Sequence, residues 1–275
     1  MSVHPSNARP RLAIIALVVA LAGLGGCKDM SDVTGSIGGT SQKLPTSDSD
    51  LRAYAERWGE RYDSSPGEKT ASINYARALR ALTQYKQAAA VMQVAAVKAP
   101  NDFDILAAYG KALADAGQWK QANDVLSRSY TPERPNWSSM SAQGVVSDAL
   151  GDHDHAQQLY RDALKIAPGE PSILANMGLS FALMRQLPLA EQSLREAAAS
   201  PAADVRVRED LALVLALEGK FGEAESIERR DLSAEDAAAN VSAIRQMIAQ
   251  STTWRDIQAV DAKKRGQQAP GKPAG

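Results

Sequence analysis

Residues 171–201 read PSILANMGLSFALMRQLPLAEQSLREAAASP. Leu174, Gly178 and Phe181 fall at i, i+4 and i+7, one face of a helix; Ala190, Leu194 and Ala197 repeat that spacing after a break. The break is Arg185-Gln186. Pro188 sits in the first turn of the second helix, where a missing N–H costs nothing, and Pro201 stops it. The stretch is a helix, a short turn and a second helix, and Gly178 and Ala190 are small enough to let the two backbones approach.

The same pattern recurs at a fixed interval on both sides. Ala88, Ala122, Ala156, Ala190 and Ala224 form one column, 34 residues apart, and Ala76, Gly110, Gly144, Gly178 and Ala212 form another. Five full periods start at Lys69, Phe103, Trp137, Pro171 and Val205 without an insertion. Their turns fall near Thr83-Gln84, Gly117-Gln118, Gly151-Asp152, Arg185-Gln186 and Gly219-Lys220; Gly at three of them suits a left-handed helix end. Leu51, Tyr54, Ala55, Trp58 and Tyr62 make one more apolar helix face, so 51–68 is expected to cap the N-terminal end of the stack. At the other end, Ser233 is a candidate N-cap with Asp236 three residues on, and Val241, Ile244, Met247 and Ile248 would cover the last hairpin, giving a capping helix over 233–253 and a disordered tail over 254–275.

These motifs resemble the tetratricopeptide repeat (TPR), over about residues 50–238, with the repeats themselves in 69–238. The resemblance implies an all-α solenoid, a right-handed superhelix of helix hairpins. The third period departs from the pattern. Gln143 and Ser147 stand where its neighbours carry Tyr, Met, Leu or Phe, and the loop Tyr130–Pro135 shortens the helix before it, which marks this junction as the weakest and a candidate hinge. The fifth period ends with Glu228 and Asp231 at packing positions, as a cap would.

Arg9 and Arg11 precede an apolar run, Leu12 to Leu24, that is too short to span a bilayer and reads as a signal-peptide core. It ends in Leu24-Gly25-Gly26-Cys27, which resembles the lipobox of bacterial lipoproteins; the resemblance implies cleavage after 26 and lipidation of Cys27, the only cysteine. The alternative is an ordinary secretory signal with an incidental cysteine. Residues 27–50, rich in Ser, Thr, Gly and Asp, read as a flexible tether with a mean span of about 25 Å. Lys28 after the cysteine, where Asp in that family commonly signals inner-membrane retention, implies an outer-membrane anchor facing the periplasm.

The formal net charge is −1 and no Lys/Arg stripe stands out, which argues against nucleic acid as a partner. His153 and His155 alternate with Asp152 and Asp154 as transition-metal ligands could, but no third ligand is spaced to complete a site. His153 also occupies the phase of Tyr85, Trp119, Leu187 and Phe221, which is a packing phase. His4, the remaining histidine, lies in the signal, so a hydrolytic triad has no other base, and no glycine-rich phosphate loop is present. The chain is expected to be no enzyme and to need no cofactor or metal.

In the TPR family the first helix of each pair lines a concave groove. By repeat phase that groove would present Asn74, Arg77, Arg80 and Lys111 at a basic end, and Val145, Asn176, Leu179, Leu183, Leu213 and Leu217 at an apolar one. The leucines could equally pack against the C-terminal helix. The TPR carboxylate clamp, with its paired Lys and Asn, is missing. Among TPR lipoproteins the chain most resembles the TadD family of tight-adherence (Flp) pilus assembly, through the lipobox, tether, repeat count and the segment Asp231-Leu232-Ser233-Ala234-Glu235-Asp236-Ala237-Ala238-Ala239-Asn240-Val241. That resemblance implies a scaffold for protein partners in a pilus secretion machine, such as a secretin. The competing reading is an envelope adaptor that regulates a peptidoglycan-remodelling or outer-membrane assembly enzyme.

Overall fold

The computed structural model describes residues 44–250, Gln250 by its backbone alone. All of its regular structure is helical: α1 Asp48–Ser64, α2 Lys69–Ala81, α3 Tyr85–Lys98, α4 Phe103–Asp115, α5 Trp119–Ser127, α6 Trp137–Leu150, α7 His153–Ile166, α8 Pro171–Leu183, α9 Leu187–Ala199, α10 Val205–Leu217, α11 Phe221–Glu228 and α12 Ala234–Gln250. The five periods of the sequence are five hairpins, and each first helix begins on the residue that opens its period. The described chain divides inside α10 into two compact units, 44–210 and 211–250.

Helix ends follow from local chemistry. The first helices start under side-chain caps: the Glu68 carboxylate accepts from the Thr70 and Ala71 N–H groups, Asp102 from Asp104 and Ile105, Asn136 from Ser139, and Glu170 from Ser172. They end in one repeated device. Thr83, Gly117, Gly151, Arg185 and Gly219 all take positive φ, between 59° and 86°. The next N–H then reaches back five residues: Gln84 to the Leu79 carbonyl, Gln118 to Leu113, Asp152 to Ser147, Gln186 to Phe181 and Lys220 to Leu215. This is the Schellman ending, and it absorbs carbonyls a helix would otherwise leave open. Sequence reading placed it at the three glycines; the backbone adopts it at Thr83 and Arg185 too.

In the unit 44–210 each helix from α1 to α9 packs on the next, and the first helices also touch one another in a row, α2 on α4, α4 on α6 and α6 on α8. The small-residue columns are the closest approaches. A Cβ on Gly110 would lie 2.5 Å from Leu126 Cγ, one on Gly144 2.5 Å from Tyr160 Cε1, and one on Gly178 2.8 Å from Leu194 Cγ and 3.2 Å from the Ala190 carbonyl oxygen. Ala88, Ala122, Ala156 and Ala190 are fully buried. At the N-terminal end, Leu44, Tyr54, Ala55 and Ala78 form a cluster with Leu51 and Trp58. The tether expected over 27–50 is therefore corrected at its end: Leu44 is core, and α1 starts at Asp48 with Ser47 as its cap. The capping helix expected over 51–68 ends at Ser64, because Pro66 and Gly67 (φ 80°) turn the chain.

In the unit 211–250, α11 is only eight residues long. Glu228 at its end is buried and accepts from Asn240 Nδ2 at 2.9 Å. α12 packs on α11 and buries Val241, Ile244 and Ile248. Ser233 caps it, accepting from the Asp236 N–H at 3.1 Å and donating to the Asp236 carboxylate at 2.7 Å. The signal segment 1–26, Cys27, the rest of the tether to 43, and the positions 251–253 and 254–275 lie outside the described residues.

Two outcomes test this packing. Ala156→Leu and Gly178→Leu should each cost about 1–3 kcal/mol by overpacking a hairpin; an unchanged thermal midpoint in both would mean that the columns are not contacts. Thr83→Gly should stabilise by about 0.5–1 kcal/mol, since a β-branched residue is held where glycine is at ease. A lower urea midpoint would show that the Thr83 side chain contributes more than its backbone strain costs.

Candidate functional site

The candidate surface is the row of first helices, and eight of the ten expected groove residues stand on those helices within the unit 44–210. The basic end is not the open surface that repeat phase suggested. Arg80 Nε donates to Asp115 Oδ2, pairing α2 with α4. Lys111 is buried, 4% exposed, and donates to Ser138 Oγ of α6 at 2.7 Å. Asn74 accepts from the Tyr54 hydroxyl at 3.0 Å and donates to the Thr70 carbonyl. Arg77, half-buried, lies close enough to act electrostatically on Tyr54 and Lys111. Lys111 is thus corrected from a groove cation to a seam residue. Phase alone hid this, since it says which way a side chain leaves its helix and not whether the next helix covers it.

At the apolar end Asn176 is likewise buried. It donates to Ser141 Oγ of α6 at 3.1 Å and accepts from Arg206 of α10 at 3.3 Å. Val145 is 38% exposed, and Leu179 and Leu183 are half-buried. These three are the apolar side chains of the expected set that keep open surface in this unit. Leu213 and Leu217 belong to the unit 211–250, where Leu213 is buried and Leu217 half-buried.

The polar seam itself escaped sequence reading. Ser138, Ser141, Gln143, Ser147 and Asp148 of α6 are all buried. Gln143 accepts from the Tyr130 hydroxyl at 2.6 Å and donates to Asn123, so the loop after α5 is tied to the following helix. Asp148 accepts from His153 Nδ1 at 2.7 Å, Ser180 Oγ at 2.8 Å and the Tyr160 hydroxyl at 3.0 Å. The signal was present in part: Ser141 occupies the phase of Ala107 and Ala175.

Burial sets the charges. Lys111 has its pKa pushed down to about 7, by desolvation first and then by the Arg80 and Arg77 guanidiniums, with Asp115 opposing. Burial raises Asp148, against hydrogen bonds that favour its ionised form, and raises Tyr160 well above the usual phenol. Burial also pushes Asp210 up to about 6, with Arg206 opposing. His153 is half-buried on Asp148 rather than merely packed, and His155 is exposed in the first turn of α7, its N–H held by Asp152. Among the described residues no group of three or more His, Cys, Asp or Glu could hold a metal ion, and no helix is long and apolar enough to cross a membrane.

No family model matches the chain. An uncharacterised protein of Sinorhizobium fredii, y4yS, is 32% identical over 83 residues, which cover 30% of this chain and 46% of that protein. The chain thus spans about half the length of that relative. Among solved structures, a thermophilic TPR protein from Thermus thermophilus matches with a TM-score of 0.57 at 20% identity, over 64% of this chain and 97% of that one. A tetratricopeptide repeat protein from Parabacteroides merdae gives 0.54 at 15%, over 82% and 89%. Human IFIT1, solved with PPP-AAAA, gives 0.59 at 14%, over 81% and 57%. At these identities the likeness establishes the fold: the chain is a TPR-type solenoid, an architecture suited to holding protein partners.

The low pKa of Lys111 carries a stability signature. Folded, it titrates near 7; unfolded, near 10.4. Between those values the unfolded chain binds the extra proton, so stability rises with pH through the window, and the cost of burying the charge is complete below about 7. Lys111→Met should therefore stabilise by about 1–3 kcal/mol at pH 6, with the gain shrinking toward pH 10. Paired thermal melts across that range check it, and a pH-independent difference would contradict it.

Proposed function

We propose that this chain is an outer-membrane lipoprotein, anchored through Cys27 and facing the periplasm, that serves as a non-catalytic TPR scaffold in the assembly of a Tad/Flp-type pilus secretion machine. The observation that carries the reading is the joining of two features in one chain. A lipobox-like Leu24-Gly25-Gly26-Cys27 lies ahead of a TPR-type stack, and that stack's first-helix face keeps Val145, Leu179 and Leu183 incompletely covered. The first feature supports a lipid anchor, since the chains that such processing adds are sufficient for stable attachment. The second supports a protein partner, such as a secretin or another machine subunit, that lays an apolar segment along the row. The cations of the first helices speak for the same class of partner. Arg80 is engaged by Asp115 and Lys111 is buried, so this face offers little to a phosphate backbone.

Two substitutions test the proposal. Cys27→Ser should leave a folded protein that no longer fractionates with the outer membrane; processed mutant protein still held there after a high-salt wash would refute the anchor. Val145→Asp with Leu179→Asp should cut co-purification of secretin or pilus subunits from envelope extracts about tenfold or more, with circular dichroism unchanged. Should the folded double mutant lose a peptidoglycan-remodelling or outer-membrane assembly enzyme instead, with surface pili intact, the chain is an envelope adaptor and the pilus reading falls.

A further inference from the structure

Lys111 sits in a seam that cannot satisfy an ammonium. Its Nζ has one acceptor, the neutral Ser138 hydroxyl at 2.7 Å. The charged groups that act on it are Arg77 and Arg80 from α2 and Asp115 from α4 itself, and the Asp115 carboxylate is already engaged by Arg80. α3 and α5, which also touch α4, bring no charged group near enough to act on it, and α6 brings the hydroxyl. Near-complete burial with a single neutral acceptor leaves a charged lysine uncompensated, whereas a neutral amine fits with its single bond.

The location adds the second half of the argument. This seam joins the second repeat to the third. α5, the second helix of the second repeat, which also packs on α6, has nine residues where the second helices α3, α7 and α9 have thirteen or fourteen. The joint is made by α5 on α6 and by α4 on α6, and Lys111 stands in the second of these contacts. Much of that contact is polar on the α6 side, with Ser138, Ser139 and Ser141 buried in its first two turns.

We propose that Lys111 is a proton-operated joint: uncharged, it fastens α4 to α6 through Ser138, and on taking up a proton it leaves the seam for water and loosens the contact between the second and third repeats. The device is a property of the isolated chain and is independent of which protein the scaffold holds, so its test needs no partner. Loosening would change the spacing between Arg77 and Val145 along the first-helix face, making the face a function of pH near neutrality.

Amide hydrogen exchange of the whole chain, as recovered from cells, reads this directly. After correction for the intrinsic pH dependence of exchange, the opening of α4 and of the first half of α6 should be about tenfold or more greater at pH 6 than at pH 8.5. The α8–α9 hairpin should show no such change. Lys111→Met should abolish the dependence and stay protected at both pH values. Lys111→Arg, charged throughout, should be open at both; if it fails to fold, Ser138→Ala serves in its place, expected to raise opening at pH 8.5. Equal protection of the wild-type seam at the two pH values, or a pH dependence retained in full by Lys111→Met, would overturn the proposal.

Discussion

The structure rests on backbones brought unusually close at a fixed interval. Where Gly110, Gly144 and Gly178 stand, a single added carbon would collide with a side chain of the paired helix, and the facing alanines are wholly buried. Close approach lets the hairpins bury an apolar face with helices mostly of thirteen or fourteen residues, which would be marginal alone. It also fixes the order of the chain, because a hairpin that buries one face against itself leaves the other for its neighbour.

Much of this could be read from sequence because it is periodic. Helix starts at Lys69, Phe103, Trp137, Pro171 and Val205 coincide with the period starts, since one geometry repeated five times lets weak local signals add. The Schellman endings show where single-residue signals fail. Three of the five positive-φ positions are glycine and were legible; Thr83 and Arg185 are held there by the bonds of the following residue to the helix, a constraint no propensity at those positions reveals. Leu44 was missed for the opposite reason, being one apolar residue amid a polar stretch, without a period to flag it.

The candidate surface was legible in direction and not in exposure. Asn74, Arg77, Arg80, Lys111, Val145, Asn176, Leu179 and Leu183 all stand on first helices, but Lys111 and Asn176 are consumed by hydrogen bonds to the serines of α6. Those serines are the cause. With Ser138 and Ser141 in its first two turns, α6 offers its neighbours acceptors at close range, and the polar residues Lys111 of α4 and Asn176 of α8 turn into the seam to meet them.

The third repeat therefore holds its place by a different kind of interaction from the others. Elsewhere the buried inter-repeat contact is largely apolar and worth an amount set by buried area, with ion pairs such as Lys69 to Asp102 and Arg80 to Asp115 beside it. Around α6 a set of directed bonds joins it, Lys111 to Ser138, Asn176 to Ser141, Tyr130 to Gln143 and Ser180 to Asp148. Such bonds add little net free energy when made and cost much when one partner is lost. They favour one arrangement sharply and give way abruptly once a member changes its charge. A stack that must present a defined face yet yield at one joint has reason to concentrate polar contacts there. Gln143 and Ser147, irregularities in the repeat, mark on the sequence the place where apolar packing gives way to this polar seam.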